Sequence, residues 1–315
     1  MQVNAGKIVI LATGGTIAGS SPVAGDNLGY TAAQLGIEDL LGSISALKGL
    51  PLVAEQVAQI DSKDMTFAVW RDLALRCSHW LAQADVAGLV ITHGTDTLEE
   101  TAFFLQSVLA PAKPVVLTCA MRPATALAFD GPQNLLDAIA VASCAPARGV
   151  VAVCAGTIHG AADVAKQHPY RLDAFGSGDA GPIGYVEEGR LRLLRDWPAG
   201  AARAPLLEKI HRITCWPRVE IVVSHAGAGG ALVDALVAQG VGGIVAAATG
   251  NGTLHCALRE ALLRAQAAGI RVRRATRCLQ GSLVELPGDP LPGSGSLSPV
   301  KARIALMLDL IDAGQ

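Results

Sequence analysis

Short aliphatic and β-branched runs alternate along the chain with alanine- and leucine-rich stretches of helical period. Residues 7–12, 88–92, 114–118, 149–155, 219–224 and 243–248 are bounded by Gly or Pro and are too short for buried helices. Apolar on both faces, they read as core strands of a parallel sheet. Between them, 66–84, 97–109, 134–143, 230–239 and 254–268 space their apolar residues as helices do. Strand–helix–strand repetition predicts an α/β architecture with right-handed crossovers. Residues 187–218 break the pattern with Arg, Pro and Ala, and Trp197-Pro198 and Trp216-Pro217 mark extended or turning chain. The predicted organisation is a larger N-terminal domain over 1–190, a linker over 191–217 and a smaller C-terminal α/β domain over 218–315.

Composition narrows the function classes. The 315 residues hold 25 basic and 27 acidic side chains, a net charge of −2 with no block of one sign. That balance argues against an electrostatic grip on nucleic acid or an anionic bilayer. Only 5 Phe, 4 Trp and 3 Tyr are present, too few for a base-stacking surface. No apolar run approaches the length of about 18 residues that spans a membrane. The first apolar run, Ile8 to Leu11, leads straight into Thr13-Gly14-Gly15 without a small-residue cleavage site, so it reads as a strand. Seven scattered cysteines form no CxxC pair; they predict buried free thiols in a reducing compartment, the cytoplasm. The histidines share no ligand spacing, so neither a metal site nor a cofactor is expected.

Three polar insertions follow predicted strands or precede predicted helices. The first is Ala12-Thr13-Gly14-Gly15-Thr16-Ile17-Ala18-Gly19, the second Thr92-His93-Gly94-Thr95-Asp96-Thr97, and the third Asp61-Ser62-Lys63-Asp64. Ligands of open α/β sheets collect outside the carboxyl ends of strands. Taken singly, each insertion also reads as a plain turn or an N-cap. Neither GxGxxG nor GxxxxGK[ST] occurs, so phosphate binding lacks its signature. Two hydroxyls on glycine-rich turns, with Lys166 in the weakly charged stretch 162–166, point instead to nucleophilic catalysis. A threonine hydroxyl needs a neighbouring base, and a buried Lys166 can serve Thr95 in that role. A lone lysine is otherwise a solvated surface residue. His93 reads as a residue that orients its loop.

At these residues the chain resembles the bacterial-type L-asparaginases, the asparaginase/glutaminase family of amidohydrolases. Residues 10–19 (ILATGGTIAG) and 91–101 (ITHGTDTLEET) look like the two family signatures. Residues 120–126 (AMRPATA), Asp130-Gly131-Pro132, Asn134-Leu135, residues 163–166, Gly250-Asn251-Gly252 and residues 294–303 extend the likeness to the C-terminus. The resemblance implies a flavodoxin-like, mostly parallel N-terminal sheet with helices on both faces. It implies a hydroxyl nucleophile, a covalent acyl-enzyme, loss of ammonia and hydrolysis by water. Thr16 matches the first threonine, Tyr30 the tyrosine of a movable lid, and Thr95 the second threonine, with Asp96 and Lys166 as its partners. Ser62 matches the position binding the substrate's α-carboxylate, Asp96 that binding its ammonium, and Ala120 that whose carbonyl accepts from the amide nitrogen. The resemblance also implies a homotetramer of intimate dimers, with an acid from a neighbouring subunit, for which Glu285 is the candidate.

Three positions depart from the family pattern. Lys63 stands where Gln is usual, against the amino-acid head group. Two like charges about 4 Å apart in a surface-like dielectric cost on the order of 4 kcal/mol, so the side chain must turn outward or pair with the α-carboxylate. Thr253 replaces an Asn, and Ala162 an Arg before Asp163. The expected reaction is hydrolysis of L-asparagine to L-aspartate and ammonia. The alternatives are L-glutamine or a D- or modified amide as substrate, or a non-catalytic amino-acid sensor on the same scaffold.

Overall fold

The computed structural model describes residues 2–3, 6–23, 25–200 and 203–314. The chain divides into two compact units, Met1–Leu207 and Glu208–Gln315. In the first unit the strands are β1 (Lys7–Gly14), β2 (Leu52–Ile60), β3 (Val86–Thr92), β4 (Pro114–Thr118) and β5 (Gly149–Cys154). They are followed by β6 (Thr157–Gly160), the short pair β7 (Ala165–Lys166) and β8 (Phe175–Gly176), then β9 (Gly184–Glu187) and β10 (Arg190–Leu193). Its helices are α1 (Ile37–Gly42), α2 (Phe67–Leu81), α3 (Leu98–Leu109) and α4 (Gly131–Ala142).

Eight strands form one sheet in the order β10-β9-β6-β5-β4-β3-β1-β2. The segment from β2 to β5 is parallel throughout, and β6, β9 and β10 add antiparallel pairs at one edge. Residues Ile8 to Ala12 are buried on both faces, as a central parallel strand requires. Ile8, Ile10, Val90 and Val116 pack with Ile37, Leu40, Leu135 and Ala138 of α1 and α4. The alternate side chains Val9, Leu11, Leu89 and Ile91 point to the opposite face, where α2 and α3 lie. Thr66 caps α2 by accepting from Val69 N–H, and Trp70, Leu73, Ala74 and Cys77 line its buried stripe.

From β1 the chain reaches β2 on one side and β3 on the other. This is the flavodoxin-like order, and its switch point lies between β1 and β3. The crevice outside the carboxyl ends of those two strands is flanked by the loops carrying Thr16 and Thr95. Topology alone therefore places the two predicted signatures at the ligand-binding edge.

The second unit is a three-stranded parallel sheet of β11 (Val219–Val223), β12 (Gly243–Ala248) and β13 (Arg271–Thr276). The helix Ala204–Arg212 (α5) spans the division, and α6 (Ala231–Ala238), α7 (Cys256–Ala267) and α8 (Pro299–Ala313) complete the unit. Val222, Val233, Ile244, Leu258, Leu262 and Val272 form its core. The stretch expected to be linker thus contains an edge strand and a helix. Of the seven free cysteines, Cys77, Cys119, Cys144 and Cys154 are buried, whereas Cys215, Cys256 and Cys278 are exposed, unlike the expectation for all seven. No helix among the described residues is long and apolar enough to cross a membrane.

Candidate active site

The Thr16 turn is built by two glycines in backbone conformations that a side chain would strain. Gly14 and Gly15 have φ of 102° and 84°. Gly15 N–H donates to the Ile60 carbonyl at 2.9 Å, and its own carbonyl accepts from Ala33 N–H at 3.0 Å. Thr13 Oγ1 donates to the Thr92 carbonyl at 2.9 Å, fastening the first signature to the second. A Cβ on Gly15 would collide with Gly94 Cα and N, and one on Gly94 would collide with Ser62 Oγ. The Gly15 and Gly94 backbones therefore meet, with the Ser62 side chain pressed against the same Gly94, and glycine is the residue that permits it.

Around that junction the polar side chains pair. Thr16 Oγ1 and Tyr30 Oη are 2.7 Å apart. Lys166 Nζ donates to Thr95 Oγ1 at 2.8 Å and to Asp96 Oδ1 at 2.6 Å. Ser62 Oγ accepts from Asp96 N–H at 3.2 Å, while Thr97 Oγ1 donates to the Ser62 carbonyl at 2.7 Å. Thr16, Ser62 and Thr95 are buried, and the Lys166 side chain keeps only 19% of its surface, whereas Asp96 keeps 51%. The arrangement offers two hydroxyls, each touching a group able to move or stabilise a proton, beside a carboxylate open to a cation.

Residues 7–199 match the family described as Asparaginase, N-terminal, and residues 218–313 match the Glutaminase/Asparaginase C-terminal domain. The chain belongs to the asparaginase family. It is 38% identical to L-asparaginase 2 of Escherichia coli strain K12 over 312 residues, covering 96% of this chain and 88% of that protein. It is 37% identical over 313 residues to the glutaminase-asparaginase of Pseudomonas fluorescens biotype A, covering 96% and 86%. The crystal structure of the probable cytoplasmic L-asparaginase from Campylobacter jejuni superposes with a TM-score of 0.90 at 35% identity, covering 97% of this chain and 95% of that one.

Against this family background the departures have concrete geometry. Lys63 Nζ contacts Asp61 Oδ2 and Asp64 Oδ2, both at 2.9 Å, and its side chain is 61% exposed. The two carboxylates hold the ammonium well above its ordinary proton affinity. Thr253 pairs with Thr249, Oγ1 to Oγ1 at 2.8 Å. Asp163, preceded by Ala162, makes its ion pair with Arg195 at 2.5 Å. Ala120 is fully buried. Its loop is held by Asp130, which accepts from Met121 N–H and Arg122 N–H at 2.9 Å each, and by Asn134, which donates to the Cys119 carbonyl at 2.9 Å. Glu285 lies in the second unit, exposed, with Oε1 accepting from Gly293 N–H at 2.5 Å.

Several residues that the sequence analysis gave no role support this cluster. Arg122 lies 4.1 Å from the Tyr170 ring and donates to the Tyr170 carbonyl at 3.0 Å, pinning the turn between β7 and β8. His159 and Ser177 meet at 2.7 Å where that hairpin returns. Because Lys166 sits on a strand of only two residues, such anchors set where its ammonium points. Trp70 and Thr101 form a buried polar contact beneath the second signature. A Thr and a Trp N–H on otherwise apolar helix faces were the available signal, since buried polar groups need partners.

Proposed function

We propose that the protein hydrolyses the side-chain amide of L-asparagine to L-aspartate and ammonia through an ester on Thr16. The observation that carries this reading is the meeting of the Thr16–Tyr30 pair and the Thr95–Lys166–Asp96 cluster on turns whose backbones abut at Gly15 and Gly94. Thr16 Oγ1 bonds to the carboxamide carbon, and its proton travels by way of Tyr30 to the departing nitrogen, which leaves as ammonia. Water then attacks the ester carbonyl, the Thr16–carbon bond breaks, and the hydroxyl regains its proton as aspartate is released. Thr95 Oγ1 accepts a hydrogen bond from the attacking water, and the Lys166 ammonium and the Asp96 carboxylate beside it hold that hydroxyl in place, while the water's proton passes to the departing Thr16 oxygen.

Ser62 and Asp96 take the substrate's α-carboxylate and ammonium, and the Ala120 carbonyl accepts from the amide nitrogen. Lys63 serves the rim through its two carboxylate partners, so its charge does not face the substrate ammonium. The active assembly is a homotetramer of intimate dimers in the cytoplasm, in which Glu285 of a neighbouring copy supplies an acid beside Tyr30. Exposed apolar side chains in the second unit, Leu279, Val284 and Leu286, support a subunit contact on that face. Light scattering tests the assembly: a mass near four chains is expected, and a monomer that turns over at the full rate contradicts it.

The substrate is tested by steady-state kinetics with L-asparagine, L-glutamine and D-asparagine. The expected result is the highest kcat/KM for L-asparagine. A higher value for L-glutamine, which glutaminase-asparaginase relatives make a real competitor, overturns the asparagine assignment.

A further inference from the structure

Beneath the Thr95 turn runs a buried chain of three hydrogen bonds that the reaction scheme does not use. Trp70 Nε1 donates to Thr101 Oγ1 at 2.9 Å. Thr101 Oγ1 is 2.9 Å from His93 Nε2, and His93 Nδ1 is 2.7 Å from the Gly94 carbonyl oxygen. His93 and Thr101 are fully buried and Trp70 nearly so. The polarity of the chain follows from what each group can do. An indole N–H only donates and a carbonyl only accepts. Thr101 Oγ1 therefore accepts from Trp70 and spends its own proton on His93 Nε2, while Nδ1 carries the imidazole proton and donates it to Gly94. The opposite tautomer would set the Nδ1 lone pair against the carbonyl oxygen inside a dry interior.

The consequence falls on the next atom of the backbone. The Gly94–Thr95 peptide is trans, since the one cis bond described is Ala145-Pro146. In a trans peptide the N–H points away from the carbonyl. With the Gly94 carbonyl drawn inward by His93, Thr95 N–H is turned outward, and no described residue accepts from it. Gly94 is also where the Gly15 and Ser62 loops press closest, so a rotated peptide would disturb all three.

From this geometry we infer that His93 is a positioning residue: held as its Nδ1–H tautomer by Trp70 and Thr101, it fixes the Gly94 carbonyl and thereby aims Thr95 N–H at the oxygen that becomes negative during amide hydrolysis. The inference rests on the amidase reading and adds to it a support from α2 and α3 that touches no substrate. Trp70, stacked on Phe104 with centroids 4.9 Å apart, ties the end of the chain to the helix pair.

Two measurements test it. Thr101→Val keeps the side-chain shape but removes the proton donated to His93. Its kcat for L-asparagine should fall about tenfold or more, as a misaimed oxyanion donor demands, with KM within about twofold. Thr101→Ser should restore most of kcat. Unchanged kcat in Thr101→Val, or failure of the serine to rescue a folded protein, overturns the role. Nitrogen-15 NMR of histidine-labelled wild type, with the His93 signals assigned by their loss in His93→Gln, reads the tautomer without any turnover. A protonated Nδ1 and bare Nε2 are expected, and the reverse overturns the inference even if Thr101→Val does not fold. Wild type that releases no ammonia from any amide would defeat the amidase reading instead, leaving the tautomer result to stand on its own.

Discussion

Thr16 and Lys63 show how a single side chain's partners decide its role. In the mechanism proposed above, the 2.7 Å contact between Thr16 Oγ1 and Tyr30 Oη is the path by which Thr16 loses its proton. Thr16→Ala should therefore lower kcat by several orders of magnitude while leaving Tm within a few degrees, because a lost nucleophile need not be lost packing. Ammonia release and thermal melts check both halves; near-normal turnover would remove Thr16 from the mechanism. Lys63 is held between Asp61 and Asp64, so Lys63→Gln should leave KM for L-asparagine within about twofold. A KM that falls tenfold would show that the cation opposes the substrate ammonium after all. The sequence singled out Thr16, Tyr30, Ser62, Thr95, Asp96 and Lys166, and the first unit gathers them into linked contacts at the β1 and β3 strand ends. Motif spacing could not show that Lys63 has two carboxylate partners, because one of them, Asp64, reads equally well as a helix-end residue. Nor could it reveal Arg122 on the Tyr170 ring, a contact across 48 residues.

Elements were legible where one physical signal dominated. The strands β3, β4, β5 and β12 are almost wholly apolar runs, β1 is one after Lys7 and β11 is interrupted only by Glu220, and α2, α3, α4, α6 and α7 have the expected helical stripes. β2 was not foreseen because it edges the sheet and alternates half-buried with exposed positions, including Glu55 and Gln56. β13 was hidden by its arginines, yet Arg274 is accommodated by Asp289 at 3.0 Å and by the Leu291 and Gly252 carbonyls. α8 was not among the expected helices, although Ser298 as N-cap, Pro299 at its first turn and a left-handed Gly314 after its end are signals that lie in the sequence. At this scale the tightest constraint is the abutment of the two signature turns. Gly15→Ala adds a Cβ at φ 84° against the Gly94 backbone, and should cost about 2–3 kcal/mol or more. Urea unfolding measures it, and a variant as stable as wild type would mean that the turns do not meet as described.

For the whole molecule, two buried imidazoles make stability depend on pH. Burial pushes His93 down to about 4, and burial together with the Arg195 charge does the same for His159, both from an ordinary 6.5. Between those values the unfolded chain binds more protons than the folded one. Stability is then complete above about pH 6.5 and drains away as pH falls through that window toward 4, by about 3 kcal/mol per histidine. Urea midpoints from pH 7 to 4.5 should fall, and His159→Gln should flatten part of the slope; an identical slope in that variant would contradict the assignment. The fold itself gathers the chemistry, because the switch point between β1 and β3 leaves one crevice for both signatures. The most direct test of the account is mass spectrometry of the protein quenched during turnover of L-asparagine or of an acylating analogue. An ester on Thr16 gives a mass increase confined to the peptide carrying Thr16; an adduct found only on Thr95, or turnover with no adduct on either under conditions that trap the ester, rules it out.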